Sequence, residues 1–178
     1  MVLLIAVFSP KLFLQFLSII MRFKNSIFWI AATISFCLDQ ATKYWIVQNF
    51  DLLETHPLIP GVFHFTYVRN TGAAFSLLTG KAELLGWLSL LVSLGLMAFA
   101  LFGGKLKKLE QVSYGLLLGG AMGNGIDRFV FGSVVDFIDF RLIRFAVFNL
   151  ADVSINLGII CWLIDSFKKQ KSERNSHL

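Results

Sequence analysis

Charge is scarce in this chain. Of its 178 residues, 15% are Asp, Glu, Lys or Arg, against roughly 25% in an ordinary soluble domain. Cysteine occurs only at Cys37 and Cys161, each inside an apolar run, so neither a disulfide framework nor a CxxC metal site is expected. The histidines, His56, His64 and His177, are scattered without metal-ligand spacing. No metal and no other cofactor is expected. What abounds instead is apolar surface: the set AVILMFWYC makes up 56%, 19 residues are Phe, and the mean hydropathy is +0.71. A chain of this length suits one domain, and a soluble domain of this size buries only about 70% of the surface its unfolded chain exposes. So much apolar surface could not be hidden that way. The composition argues against a soluble enzyme, a disordered tail and a basic nucleic-acid-binding domain, despite a net charge of +5 and a pI near 9.4. The solvent must be a bilayer.

A membrane-spanning helix needs about 20 mainly apolar residues. Four stretches qualify, at about 26–47, 84–104, 111–126 and 145–167. Lysine and arginine favour cytoplasmic loops. Lys11, Arg22 and Lys24 precede the first stretch, Lys105, Lys107 and Lys108 separate the second and third, and Lys168, Lys169, Lys171 and Arg174 follow the fourth. The opposite side holds the smaller set Arg69, Lys81, Arg128, Arg141 and Arg144. Both termini are therefore expected in the cytoplasm. Trp29 and Tyr114 fall near inner ends, and Tyr44, Trp45 and Trp87 near outer ends, where aromatic belts form.

Two segments outside the spans carry strand signals. Phe63, Phe65 and Tyr67 alternate with His64, Thr66 and Val68 after a Pro60-Gly61 turn, and Val134 to Ile138 is compatible with an extended piece. The expected fold is an all-α integral membrane protein of four transmembrane helices with a small extracytoplasmic β element. Residues 1–24 read as an N-terminal extension (an interfacial segment or a non-native start), 25–169 as the membrane domain, and 170–178 as a cytoplasmic tail.

An ionisable group at membrane depth costs at least about 2.5–3.5 kcal/mol on insertion scales, which makes each one a functional candidate. The candidates are Asp39, Lys43, Asp127, Arg128, Asp136, Asp139, Asp152 and Asp165. All but Asp165 fall at outer span ends or just beyond; Asp165, beside Lys168 and Lys169, reads as a solvated residue of the inner side. Asp39 and Lys43 stand one helical turn apart on one face, as an ion pair or as a holder of substrate or of an external loop. Gly115, Gly119 and Gly123 form a small-xxx-small face for close helix packing, which brings Asn124 into the bundle. Asp136 and Asp152 are the strongest pair. Two carboxylates held close share one proton, which supplies a base to activate water and an acid to protonate a carbonyl oxygen.

Five segments, taken together, resemble a known family. Asp39-Gln40-Ala41-Thr42-Lys43, Arg69-Asn70-Thr71-Gly72-Ala73-Ala74-Phe75, Gly123-Asn124-Gly125-Ile126-Asp127-Arg128, Val134-Val135-Asp136-Phe137 and Phe148-Asn149-Leu150-Ala151-Asp152 look like the successive signature blocks of bacterial lipoprotein signal peptidase, or signal peptidase II. The resemblance covers about 25–169, and departs at Gly125, where a bulky aliphatic residue is more usual, and mildly at Val153.

The resemblance implies an aspartic endopeptidase of the bacterial cytoplasmic membrane that cleaves diacylglyceryl-modified prolipoproteins just before the lipidated cysteine. By motif it places catalysis on Asp136 and Asp152. Asn70, Asn124, Arg128 and Asn149 match polar positions around that dyad, Asp39 and Lys43 match the first block, and Asp127 is expected to support the Arg128 region. It further implies a β-cradle around Phe63 to Val68, lipid-modified substrates and membrane lipids as partners, no nucleic acid, a monomer, and inhibition by globomycin.

Other readings make different demands. A transporter would show inverted repeats and polar groups near the midplane, whereas the second span is uncharged and the acids gather at one surface. A Ser–Lys peptidase would pair Lys43 with Ser76, Ser133 or Ser154, yet spacing ties no serine to Lys43. A purely structural protein would not need its external acids.

Overall fold

The computed structural model describes residues 24–72, 78–143 and 145–176. The expectation of an extension at 1–24 lies outside these residues save for Lys24, as do Ala73, Ala74, Phe75 and Ser76. Among the described residues the chain is mostly helical with one small sheet: α1 (Ser26–Asn49), β1 (Thr55–Ile59), β2 (Phe63–Asn70), α2 (Ala82–Phe102), α3 (Lys108–Phe131), β3 (Val134–Phe140) and α4 (Leu150–Ser176).

Helix α3 is the centre of the bundle and packs against α1, α2 and α4. Its glycines explain how. A methyl group on Gly119 would stand 2.6 Å from the Ala32 carbonyl oxygen of α1, and one on Gly115 would stand 2.5 Å from that of Phe28. The glycine face read from the sequence is thus the α1–α3 contact, with backbones too close for any side chain. Gly125 likewise admits Ser89 of α2, whose Cβ would lie 2.9 Å from an added methyl. That contact accounts for glycine where an aliphatic side chain is more usual.

The outward faces are apolar. Leu84, Leu88, Leu91 and Phe102 on α2, and Ile160, Trp162 and Phe167 on α4, are exposed, as lipid-facing surfaces require. By length and composition, Ala82–Phe102 and Leu150–Gln170 are able to cross a membrane. Asn25 ties the far end of the bundle together: its amide donates to the Ala100 and Gly104 carbonyls, and its oxygen accepts from the Leu106 N–H. Lys24 donates to the Gly103 carbonyl there as well.

The antiparallel sheet has the order β1-β2-β3. Strands β2 and β3 answer to the two extended pieces read from the sequence. Strand β1 was not anticipated, because Thr55–Ile59 lacks alternation and contains Pro57; it is an edge strand, where proline is tolerated. Ile46, Tyr67, Val135, Phe137 and Ile138 form a buried cluster joining the sheet to the end of α1. The fourth helix begins later than the apolar stretch suggested. Phe148 exchanges backbone bonds with Ile138, which holds 145–149 out of the helix until Leu150. Asp152 consequently lies in the first turn of α4.

Candidate active site

Asp136 sits on β3, paired with Val68 of β2, and only 2% of it is exposed. Its Oδ2 accepts from the Asn70 amide at 2.9 Å, and its Oδ1 from the Asn149 amide at 2.6 Å. Asp152 accepts from the Asn124 amide on Oδ1 at 2.8 Å and from the Asn149 backbone N–H on Oδ2 at 3.2 Å. Asn149 therefore bridges the two carboxylates. It also caps α4: its side-chain oxygen accepts from the Asp152 N–H at 3.0 Å while Asp152 reaches back, a reciprocal arrangement that satisfies orphan donors of the first turn.

Groups that can only donate dictate the direction of every amide. The Lys43 ammonium faces the Asn124 oxygen at 2.9 Å, so the Asn124 NH2 is turned to Asp152. The Asp152 N–H takes the Asn149 oxygen and leaves that NH2 for Asp136 and for Asn124, at 3.1 Å. The Gly72 N–H holds the Asn70 oxygen at 2.9 Å, which leaves its NH2 for Asp136. Both oxygens of both carboxylates thus receive an N–H.

Behind this layer lies a buried ionic one. Lys43 Nζ stands 2.9 Å from Asp39 Oδ2 and 2.9 Å from Asp127 Oδ2. Asp39 Oδ1 accepts the Ala151 N–H at 2.8 Å, placing a carboxylate at the positive end of α4. Gln40, which sequence reasoning left without a role, donates to Asp127 Oδ1 at 3.1 Å and to the Gly123 carbonyl at 3.2 Å; its only signal was its place between Asp39 and Lys43. Asp127, expected to support the Arg128 region, makes its ion pair with Lys43, and Arg128 donates to the carbonyls of Asn124 and Gly72. Among the described residues Lys43 is bonded to acids and an amide, and Ser154 donates to the Leu150 carbonyl.

Two acids lie elsewhere. Asp139 takes the Thr66 hydroxyl at 2.6 Å and Arg141 Nε at 2.9 Å on the outer sheet. Burial alone would raise its carboxyl, but these two donors outweigh burial and hold it below its ordinary value. Asp165 is buried, not solvated, because Lys169 folds over it at 3.1 Å and also pairs with Glu110 of α3. Cys37 and Cys161 are free and half-buried. No described group of three or more His, Cys, Asp or Glu side chains is disposed to hold a metal ion.

Asn70, Asn124, Arg128, Asp136, Asp152 and Asn156 are the polar lining of a cavity of about 410 Å³, and Phe145, Val147, Phe148, Val153 and Leu157 belong to its apolar lining. Burial pushes the Asp136 carboxyl up to about 7, with the Asp152 carboxylate adding to the push and the Asn70 and Asn149 amides opposing it. A carboxyl raised to about 7 thus stands near a second acid on a cavity lined by both polar and apolar groups.

Helices with apolar outward faces, closed at one end over hydrogen-bonded carboxylates, define a helical membrane enzyme. Two solved bacterial membrane enzymes, both determined by the in meso method, share the fold. One superposes with a TM-score of 0.75 at 33% identity over 80% of this chain and 88% of its own, the other with 0.70 at 34% over 78% and 91%. The family model described as signal peptidase (SPase) II matches residues 31–168. The lipoprotein signal peptidase of a Nostoc species is 63% identical over 155 residues, 87% of this chain and 98% of that protein; those of Nostoc punctiforme and Microcystis aeruginosa are 67% identical over 149 residues (84% and 94%) and 66% over 145 (81% and 94%). The chain belongs to the signal peptidase II family and is a protease.

Proposed function

We propose that this protein is an intramembrane aspartic endopeptidase that removes signal peptides from diacylglyceryl-modified prolipoproteins, cutting just before the lipidated cysteine. It spans the bacterial cytoplasmic membrane four times with both termini inside, and its dyad opens to the extracytoplasmic face. The observation that carries this reading is the pair Asp136 and Asp152, joined through Asn149 on a cavity lined by both polar and apolar groups.

Asp152 in its ionised form takes a proton from a water, which attacks the scissile carbonyl. Asp136 gives its proton to the developing oxyanion. The proton held on Asp152 then passes to the leaving amine as the tetrahedral intermediate collapses, and a hydroxyl proton of the new carboxylic acid returns to Asp136. Asn70, Asn124 and Asn149 hold both carboxyls in place, and Arg128 lines the same cavity, where it orients the peptide. The substrate's acyl chains stay in lipid beside the exposed faces of the helices.

Gel-shift processing of a diacylglyceryl-modified precursor by wild type, Asp136→Asn and Asp152→Asn tests this. Both variants are expected to insert normally and to process nothing, while Ser133→Ala and Ser154→Ala process normally. Globomycin should block the wild type. Substantial turnover by either Asn variant would remove the dyad assignment.

A further inference from the structure

Asn156 lies on α4 four positions after Asp152 and lines the same cavity. At 1.5 Å per residue it stands about 6 Å further along the helix, towards the bilayer interior in the proposed orientation. It is exposed there beside Leu157, Ile159 and Ile160, which are apolar as lipid contact demands. An exposed amide among them is costly unless something pairs with it, because hydrocarbon offers no partner. Its Nδ2 donates to the Asp152 backbone carbonyl at 2.9 Å, and this is its sole hydrogen bond among the described residues. One amide hydrogen and the whole of Oδ1 are left for another group. Neither Asn70, Asn124 nor Asn149 reaches it, and no step of the proposed chemistry uses it.

The substrate supplies the complementary group. A signal helix entering from the bilayer must open before the scissile bond for the attack to occur. Opening strips the last turn of its intrahelical partners and leaves main-chain carbonyls and N–H groups unpaired in an apolar setting. An extended chain rises about 3.3 Å per residue, so 6 Å inward from the dyad is about two residues upstream of the cut. We infer that Asn156 is a substrate-positioning residue that pairs with the main chain of the residue about two positions before the scissile bond: its free N–H donates to that residue's carbonyl, and its Oδ1 accepts that residue's N–H. This contact selects an unwound main chain rather than a particular side chain. The inference rests on the signal-peptidase reading above.

The test uses full-length enzyme in lipid nanodiscs, with Asn156→Leu and Asn156→Ser, on two synthetic diacylglyceryl precursors. One precursor is an ordinary peptide; the other carries an ester in place of the amide two residues upstream. Loss of one such hydrogen-bonded contact corresponds to about a tenfold effect. Asn156→Leu is expected to raise KM about tenfold, leaving kcat and the pH profile unchanged, and Asn156→Ser to fall between. The ester should handicap the wild type similarly and add nothing to the Asn156→Leu defect. Wild-type kinetics in Asn156→Leu would overturn the inference. So would a loss confined to kcat with a displaced pH profile, which would mean that Asn156 acts only through the Asp152 backbone, or an ester penalty that persists undiminished in Asn156→Leu. Thermal unfolding of the variants separates these outcomes from misfolding. Activity surviving in Asp136→Asn would instead remove the underlying reading.

Discussion

Lys43 shows how much a single side chain decides at this site. Its ammonium neutralises Asp39 and Asp127 and, by donating to Asn124, fixes which end of that amide meets Asp152. Lys43→Met would leave two carboxylates buried without a cation, a change that costs about 3–5 kcal/mol. A large fall in unfolding temperature and loss of processing are expected. Adding Asp39→Asn and Asp127→Asn should restore much of the stability but not the activity, because the amide of Asn124 is no longer held in one orientation. Asp136 gives a second prediction at this scale. Below pH 7 it carries the proton that the proposed acid role needs, and as pH rises through about 7 that proton is lost. kcat/KM should therefore decline on the alkaline side from about pH 7. Asn70 favours the ionised form, so in Asn70→Ala the Asp136 pKa rises further and the alkaline limb moves to higher pH, alongside any loss in rate. A limb moving to lower pH would contradict the assignment of the proton to Asp136.

Among the elements, α3 sets the geometry. Its glycines bring α1 close enough for Lys43 to reach Asn124 and Asp127. Gly119→Ala would press a methyl onto the Ala32 carbonyl at 2.6 Å. Forcing the helices apart should cost about 1–3 kcal/mol, read as a lower unfolding temperature in detergent. Gly95→Ala on α2 is the control. Nothing lies within 4 Å of its added methyl, and removing a mid-helix glycine is worth roughly 0.5–1 kcal/mol of stability, so that variant should be neutral or slightly more stable. The elements also differ in how readily the sequence announces them. Alternation in Phe63 to Val68 marks a strand whose two faces have different surroundings, and it was legible. Thr55–Ile59 is exposed along its whole length, so nothing imposed alternation on it. Hydropathy does not mark the start of α4, because it continues through 145–149, whereas the pairing of Phe148 with Ile138 that ends the extended segment is a tertiary contact.

For the whole molecule, the proposed orientation makes a labelling prediction. After Cys37 and Cys161 are replaced by alanine, cysteines introduced at Leu58 and Leu142 should react with an impermeant reagent from outside intact cells. Cysteines at Lys105 and Lys168 should react only after permeabilisation. The reverse pattern would place the dyad on the cytoplasmic side and remove lipidated precursors as its substrates.

The amino-acid sequence by itself determined the solvent, since 56% apolar residues in one short chain leave no alternative to lipid. It determined the helical stretches and the two patterned strands too, because periodicity is a local property that each segment carries. It also carried the motif set that singles out Asp136 and Asp152. What it could not contain was the pattern of partners. Asp39 reaching the Ala151 N–H, Lys43 joining Asp127, and Asn70 meeting Asp136 link residues 112, 84 and 66 positions apart. Such contacts exist only once α3 has drawn the other helices around it and the sheet has settled on their ends. The burial that raises the Asp136 carboxyl to about 7 arises there as well. A carboxyl's proton affinity depends on the water and dipoles around it, and those are set by packing.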